Sequence, residues 1–329
     1  MASTLSHGRR PPADSPRRRR PARSLRTFLL TGLIALLAIA GVTAMTAALT
    51  DVPGPQAEIV PPDTTPRPAE NVPSDTAPRP RAETVPPASD LPPVPAAAYV
   101  VIDGDTGEAL ASNNPDQPRP VASLTKLMTA RVVLDAGQLD RTTTVPPLQM
   151  ADDELQAGLE AGDHVSRGEL LQAMLVASAG DAARTLAVDV AGDENSFVEA
   201  MNDEAATVGL ETTHYANPDG LDDPTQHSSA ADVARLAHDL MQDPVFRQIV
   251  AAESTRIDGT ELSTTNDLLG TYPGADGIKT GYTDEAGWCL AASATRDGHS
   301  IIAVVLGAPT EQARNAAAQT LLDYGFSVT

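Results

Sequence analysis

The sequence predicts an α+β fold in which one antiparallel sheet, completed by both ends of a folded region, carries an all-helical lobe inserted between its strands. Three observations predict it. Two strand-like runs and a helix open the region after residue 97, only helical signals fill its middle, and turn-punctuated strand runs return from Glu253 before a last helix. The cleft between sheet and lobe is the expected place for a site.

Taken in order, AAYVVID and the run over 108–112 read as strands joined by a turn over 103–107. After Pro118 and Pro120 a helix is expected over 123–136, with Gly137 as its C-terminal stop. Ser166 and Glu169 form a capping box before ELLQAMLVA, and Ser196 with Glu199 reads as a second one before a helix that Gly209 ends. Between them Ser178-Ala179-Gly180 interrupts the apolar pattern, and Asp181 is placed to cap a fresh helix through Val190. Ser229 begins another helix to about Met241. The strands that follow are TRIDGTEL, GIKTGYT, GWCLAASATR and HSIIAVVLG, the last two joined by Asp297-Gly298, and a helix over 310–324 closes the chain.

Charge divides what precedes this region. Residues 1–50 carry eight Arg and one acid, Asp14; residues 51–97 carry seven acids and three Arg; residues 98–329 carry a net −24 of the chain's total −21. Segment 1–27 is basic and expected in the cytoplasm, and the uncharged segment 28–49 is long enough to cross a bilayer as a single-pass anchor. A cleaved signal peptide ending near Val42-Thr43-Ala44, leaving a secreted protein, is the alternative. Residues 50–97, rich in Pro, Thr, Ala and Asp, read as a semi-stiff tether, and the domain over 98–329 is then extracytoplasmic at the cell membrane. Its acidity excludes nucleic acid as partner, because phosphate binding needs the opposite sign. The six histidines offer no metal site, since His214 and His227 lack a third ligand at useful spacing; Asp219, Asp222 and Asp223 read as a loop turn rather than an ion site. The single cysteine, Cys289, excludes an internal disulfide and sits in an apolar run where packing is its role.

The chemistry is carried by two lysines. The chain has 21 arginines but only Lys126 and Lys279. Arginine keeps its proton in proteins, whereas a buried lysine can release it, so a lysine retained in an arginine-using chain points to a removable proton. Ser123 and Lys126 stand one helical turn apart in VASLTKLMT, which makes Lys126 the nearest base for the Ser123 hydroxyl. Freeing that amine at neutral pH costs roughly 4 to 5 kcal/mol, which burial and a second ammonium at Lys279 would reduce. The helix start at Ser123 offers a backbone N–H for an oxyanion. Lys279-Thr280-Gly281 supplies an ammonium and a hydroxyl for a terminal carboxylate, and a glycine where substrate backbone could come close.

Ser-x-x-Lys, a central Ser-x-Asn and Lys-Thr-Gly are the signature of penicillin-binding proteins and class A β-lactamases. Over essentially all of 98–329 the sequence resembles the low-molecular-weight D-alanyl-D-alanine carboxypeptidases, through VASLTKLMTA, LLQAMLVASAGDAA, YANPDGLDDPTQHSSAADVARLA and YPGADGIKTGYTDEAGWCLAASATRDGHSIIAVV. The resemblance implies a β-lactamase/transpeptidase-like fold and removal of the terminal D-alanine from peptidoglycan stem pentapeptides, with β-lactams as acylating inhibitors and no cofactor. It also implies roles: Ser123 the acylated nucleophile, Lys126 its base, Ser178 the proton relay to the leaving D-alanine, Lys279 and Thr280 the carboxylate holders, and the backbone N–H of Tyr282 a second oxyanion donor. One position departs from the pattern: Gly180 stands where the family has the Asn of Ser-x-Asn. That amide orients the lysine and the substrate carbonyl, and its loss commonly costs about a hundredfold in rate. Asp181 or a water is the available substitute. A penicillin- or muropeptide-binding protein with weakened catalysis is therefore the alternative function, and a β-lactamase, for which no Glu-x-x-Leu-Asn is present, ranks lower.

Overall fold

Strands buried on both faces read as unbroken apolar runs, and HSIIAVVLG is one. The computed structural model describes residues 91–151 and 154–329. In it β1 (Ala98–Asp103), β2 (Ala109–Asn113), β7 (Ala275–Thr283), β8 (Gly287–Arg296) and β9 (His299–Ala308) form one antiparallel sheet in the order β2-β1-β9-β8-β7. The last of the described strands thus pairs with the first, Val101 opposite Ala303, as expected of a sheet completed from both ends of the folded region. Alternate residues of β1 and β9 supply two cores. Val100, Ile102, Ile302 and Val304 face the helical lobe, while Val101, Ile301, Ala303 and Val305 face the closing helix α7 (Glu311–Val328). Leu91, Val94 and Ala96 lie against this second core, so packing begins a few residues before β1.

The lobe comprises α1 (Lys126–Ala136), α2 (Arg167–Val176), α3 (Gly180–Ala191), α4 (Glu194–Thr207), α5 (Ala230–Leu240) and the short α6 (Pro244–Val250), which Pro244 at its first turn and Asp243 as cap begin. The capping box of Ser166 and Glu169 is present, and Ser229 and Thr310 cap α5 and α7. Two expected caps are corrected. Asp193, not Ser196, begins α4: its carboxylate accepts from the backbone N–H and the hydroxyl of Ser196 at 2.9 and 2.8 Å, because Gly192 has already turned the chain out of α3. Asp181 does not cap α3 but lies inside it, buried, accepting from the N–H groups of Ala157, Gly158 and Leu159 at 2.9–3.0 Å. It ties a loop to the helix. Two strand pairs, β3 (Thr142–Thr144) with β4 (His164–Ser166) and β5 (Ser254–Ile257) with β6 (Thr260–Ser263), stand outside the main sheet. TRIDGTEL is this second hairpin, with Asp258 and Gly259 both at positive φ in its turn. Segments 1–27 and 28–49 and most of the tether lie outside the described residues, among which no helix is long and apolar enough to cross a membrane.

Candidate active site

The helix expected from Ser123 starts differently. Residues Ala122–Thr125 form a tight 3₁₀ turn, and α1 proper begins at Lys126. Lys126 Nζ then donates to Ser123 Oγ at 3.0 Å and also to the carbonyl oxygen of Asp219. Burial lowers the Lys126 pKa, assisted by the Arg184 cation and opposed by Asp219 and Glu154. The expected lysine–lysine repulsion falls on its partner: Lys279 is held well below the ordinary lysine value by burial, by Lys126 and by Arg314.

Across the cleft Lys279 Nζ donates to Ser178 Oγ at 2.9 Å and to the carbonyl oxygen of Thr280 at 2.9 Å. Ser178 holds φ +61° and Ala122, beside Ser123, φ +49°. Left-handed backbone in a side-chain-bearing residue costs on the order of 1–3 kcal/mol and persists where packing enforces it. One of the two carries a hydroxyl of the cleft and the other adjoins one. Thr280 Oγ1 is 2.6 Å from Thr265 Oγ1, and Tyr282 lies with its ring centroid 4.3 Å from that of Trp288. Ser123, Lys126, Ser178, Thr280, Gly281 and Tyr282 line one cleft of about 520 Å³, and Lys279 is buried directly behind Ser178.

Gly281 has a reason of its own. A Cβ there would lie 2.9 Å from the carbonyl oxygen of Val121 and 3.1 Å from the backbone nitrogen of Ser123, so the glycine makes room for the chain's own 3₁₀ turn. Gly220, at φ +89°, approaches the same nitrogen, a Cβ there falling 2.9 Å from it. Gly281→Ala is expected to cost about 1–3 kcal/mol of stability and, by shifting Ser123, to slow any labelling of that serine about 10- to 100-fold. Thermal melting and the acylation rate by a penicillin check both.

Four contributors, Asp219, Arg184, Thr129 and Arg314, escape the sequence reading. Asp219 is in a turn, as expected, but its buried carboxylate accepts from Arg184 Nε at 2.6 Å while its carbonyl receives Lys126. Thr129 Oγ1 donates to the Pro218 carbonyl at 2.6 Å, fixing that turn on α1. Asp222, in contrast, only accepts from Thr283 Oγ1 at 2.6 Å at the cleft's edge. Arg314 of α7 lines the cleft with its guanidinium 5.4 Å from the Trp288 ring centroid, a cation beyond the two lysines. Asp181, the side chain nearest in sequence to the missing amide, cannot replace it, because the 157–159 loop already occupies its carboxylate. The signal for Asp219 and Arg184 was the Asn-Pro-Asp-Gly turn and an arginine inside an apolar helix. Away from the cleft, Asp103, Asp105 and His299 converge where two hairpins meet, with His299 Nδ1 2.9 Å from Asp105 Oδ2. Cys289 is buried and its thiol is pushed up to about 11 by burial, which fits packing rather than reactivity.

The family model for D-alanyl-D-alanine carboxypeptidase matches residues 84–310. The D-alanyl-D-alanine carboxypeptidase DacF of Bacillus subtilis is 35% identical over 242 residues, 70% of this chain and 62% of that protein. The chain thus spans less than two thirds of that relative's length. Penicillin-binding protein 6B of Escherichia coli shares the fold at a TM-score of 0.70 with 35% identity, over 74% of this chain and 81% of that one. Penicillin-binding protein D2 of Listeria monocytogenes, solved with ampicillin bound, superposes at 0.65 with 33% identity, covering 71% of this chain and 98% of that one. The α+β architecture is that of the penicillin-binding DD-peptidases, and with two thirds of its length matched the chain belongs to the D-alanyl-D-alanine carboxypeptidase family.

Proposed function

We propose that the protein is a serine D-Ala-D-Ala carboxypeptidase that removes the terminal D-alanine of peptidoglycan stem pentapeptides through an acyl-enzyme on Ser123. The observation that carries it is Lys126 Nζ, buried and 3.0 Å from Ser123 Oγ, with the amine's pKa lowered. A neutral Lys126 takes the hydroxyl proton as Ser123 Oγ bonds to the penultimate D-alanine carbonyl. Backbone N–H groups of Ser123 and Tyr282 are the donors for the developing oxyanion. As the peptide bond breaks, the proton reaches the leaving D-alanine nitrogen through Ser178, which already pairs with Lys279. The substrate carboxylate goes to Lys279, Thr280 and the neighbouring Arg314. Its charge restores the protonated form of Lys279, whose pKa burial depresses. β7 is the outer strand of the sheet, so a stem peptide can pair along it.

Acylation by β-lactams follows from the same geometry and is supported by the ampicillin-bound relative. Anchoring by segment 28–49 would place the domain outside the membrane, within reach of the wall. Mass spectrometry after exposure to a penicillin, run beside D-alanine release from a pentapeptide, tests the proposal. Acylation at Ser123 together with release is expected. Acylation without release would leave a penicillin-binding module, and neither signal would sink the enzyme reading.

A further inference from the structure

The wall that lacks the family's amide holds a carboxyl group instead. Gly180 is the first residue of α3, and a Cβ built on it would fall onto Glu154 Oε1 and lie 2.7 Å from its Cδ. Glycine at 180 and glutamate at 154 are therefore one arrangement: the missing side chain's space is where the carboxyl lies. Glu154 is held there by its surroundings. The Gly180 N–H donates to the Leu155 carbonyl at 2.8 Å, and Asp181 grips the 157–159 backbone.

The two oxygens of Glu154 differ. Oε2 accepts from the Ala151 N–H at 3.4 Å and lies 3.9 Å from Arg184 Nη2. Oε1 is buried and accepts from no group among the described residues, although the side chain is only 5% exposed and lines the same cleft as Ser123 and Lys126. A buried oxygen without a protein partner ordinarily serves a water or a ligand. Burial and the neighbouring Asp219 also raise the carboxyl's pKa, as suits a group that must accept a proton and return it.

Resting on the acyl-enzyme reading above, we infer that Glu154 Oε1 holds and deprotonates the water that hydrolyses the Ser123 ester, so that Glu154 is the deacylation base of this enzyme. In that step a water proton passes to Oε1 as the water oxygen bonds to the ester carbonyl carbon. The tetrahedral adduct then collapses, the carbonyl carbon–Oγ bond breaks, and Ser123 Oγ leaves with the proton that Glu154 returns through Lys126. One water is consumed and one free carboxylic acid leaves, whether the acyl group came from a stem peptide or from a β-lactam. The chain would therefore turn β-lactams over rather than hold them.

The test separates formation of the penicilloyl-enzyme from its decay, both followed by intact-protein mass spectrometry. Glu154→Gln keeps the shape and loses the base; it is expected to slow decay about 100-fold and, on the high-pH plateau where Lys126 is already neutral, to leave acylation within about threefold. Gly180→Ala adds only a methyl, at a helical position that tolerates it, and pushes the flexible carboxyl aside. It is expected to slow decay in the same direction with the circular dichroism spectrum unchanged. A Glu154→Gln ester that decays at the wild-type rate overturns this inference alone. Acylation and decay falling in parallel also overturns it, because Glu154 would then act only through Lys126. A wild type that never acylates overturns it together with the proposed function.

Discussion

Lys126→Arg is expected to lower the proposed acylation of Ser123 by about 10²–10⁴-fold, measured as the rate at which a penicillin labels the protein. Arginine keeps a cation at the same place in the chain and cannot give up its proton, so only the base is removed. The wild-type amine is suited to the task because it is buried and its pKa is lowered. The pH dependence carries the sign. Acylation falls as pH drops through the lowered Lys126 pKa, because the protonated amine cannot accept from Ser123, and it rises to a plateau above. Lys126→Met, which removes charge and base together, falls as far. A Lys126→Arg protein that acylates at the wild-type rate, with an intact circular dichroism spectrum, would remove Lys126 from the base role.

Arg184→Met is expected to destabilise the fold by about 3 kcal/mol or more and to move the acylation limb to higher pH. The Asp219 carboxylate is fully buried, and Arg184 Nε at 2.6 Å is its cationic partner; Arg184 Nη1 also donates to the Gln149 carbonyl at 2.9 Å. Removing the arginine leaves a buried anion with, among the described residues, only the Leu221 N–H at 3.2 Å on its Oδ1. The same change takes away the cation that assists burial in lowering the Lys126 pKa, while Asp219 and Glu154 continue to raise it. Denaturant unfolding reads the first effect and the pH–rate profile the second. Arg184→Lys, which keeps the charge but not the forked geometry, falls between. A profile that does not move in Arg184→Met would separate this ion pair from the chemistry.

Much of the architecture is legible because it rests on short-range rules. The apolar runs of β8 and β9, the Asp297-Gly298 turn at φ +52° and +84°, and the Ser166–Glu169 box are each local choices that agree with the whole. The two misread caps are local as well. Asp193 and Ser196 offer competing signals three residues apart, and only the direction in which Gly192 sends the chain decides between them. The short α6 carries too few residues for periodicity to register.

The site divides along the same line. Ser123 with Lys126 and the Lys-Thr-Gly strand are contiguous in sequence, so spacing and the scarcity of lysine were enough to mark them. Their opposition across one cleft, with Lys279 bonded to Ser178 over 101 positions, follows from sheet and lobe packing. The 3₁₀ turn at Ser123, the Asp219 carbonyl on Lys126 and the Glu154 carboxyl over Gly180 were decided by tertiary structure alone. The physical reason is range. Propensity, capping and periodicity act within about one or two helical turns, whereas Glu154, Arg184 and Asp219 meet only when the loop, α3 and the Asn-Pro-Asp-Gly turn are packed against α1. The sequence determined which reactive groups this protein carries, and packing decided which charges surround them.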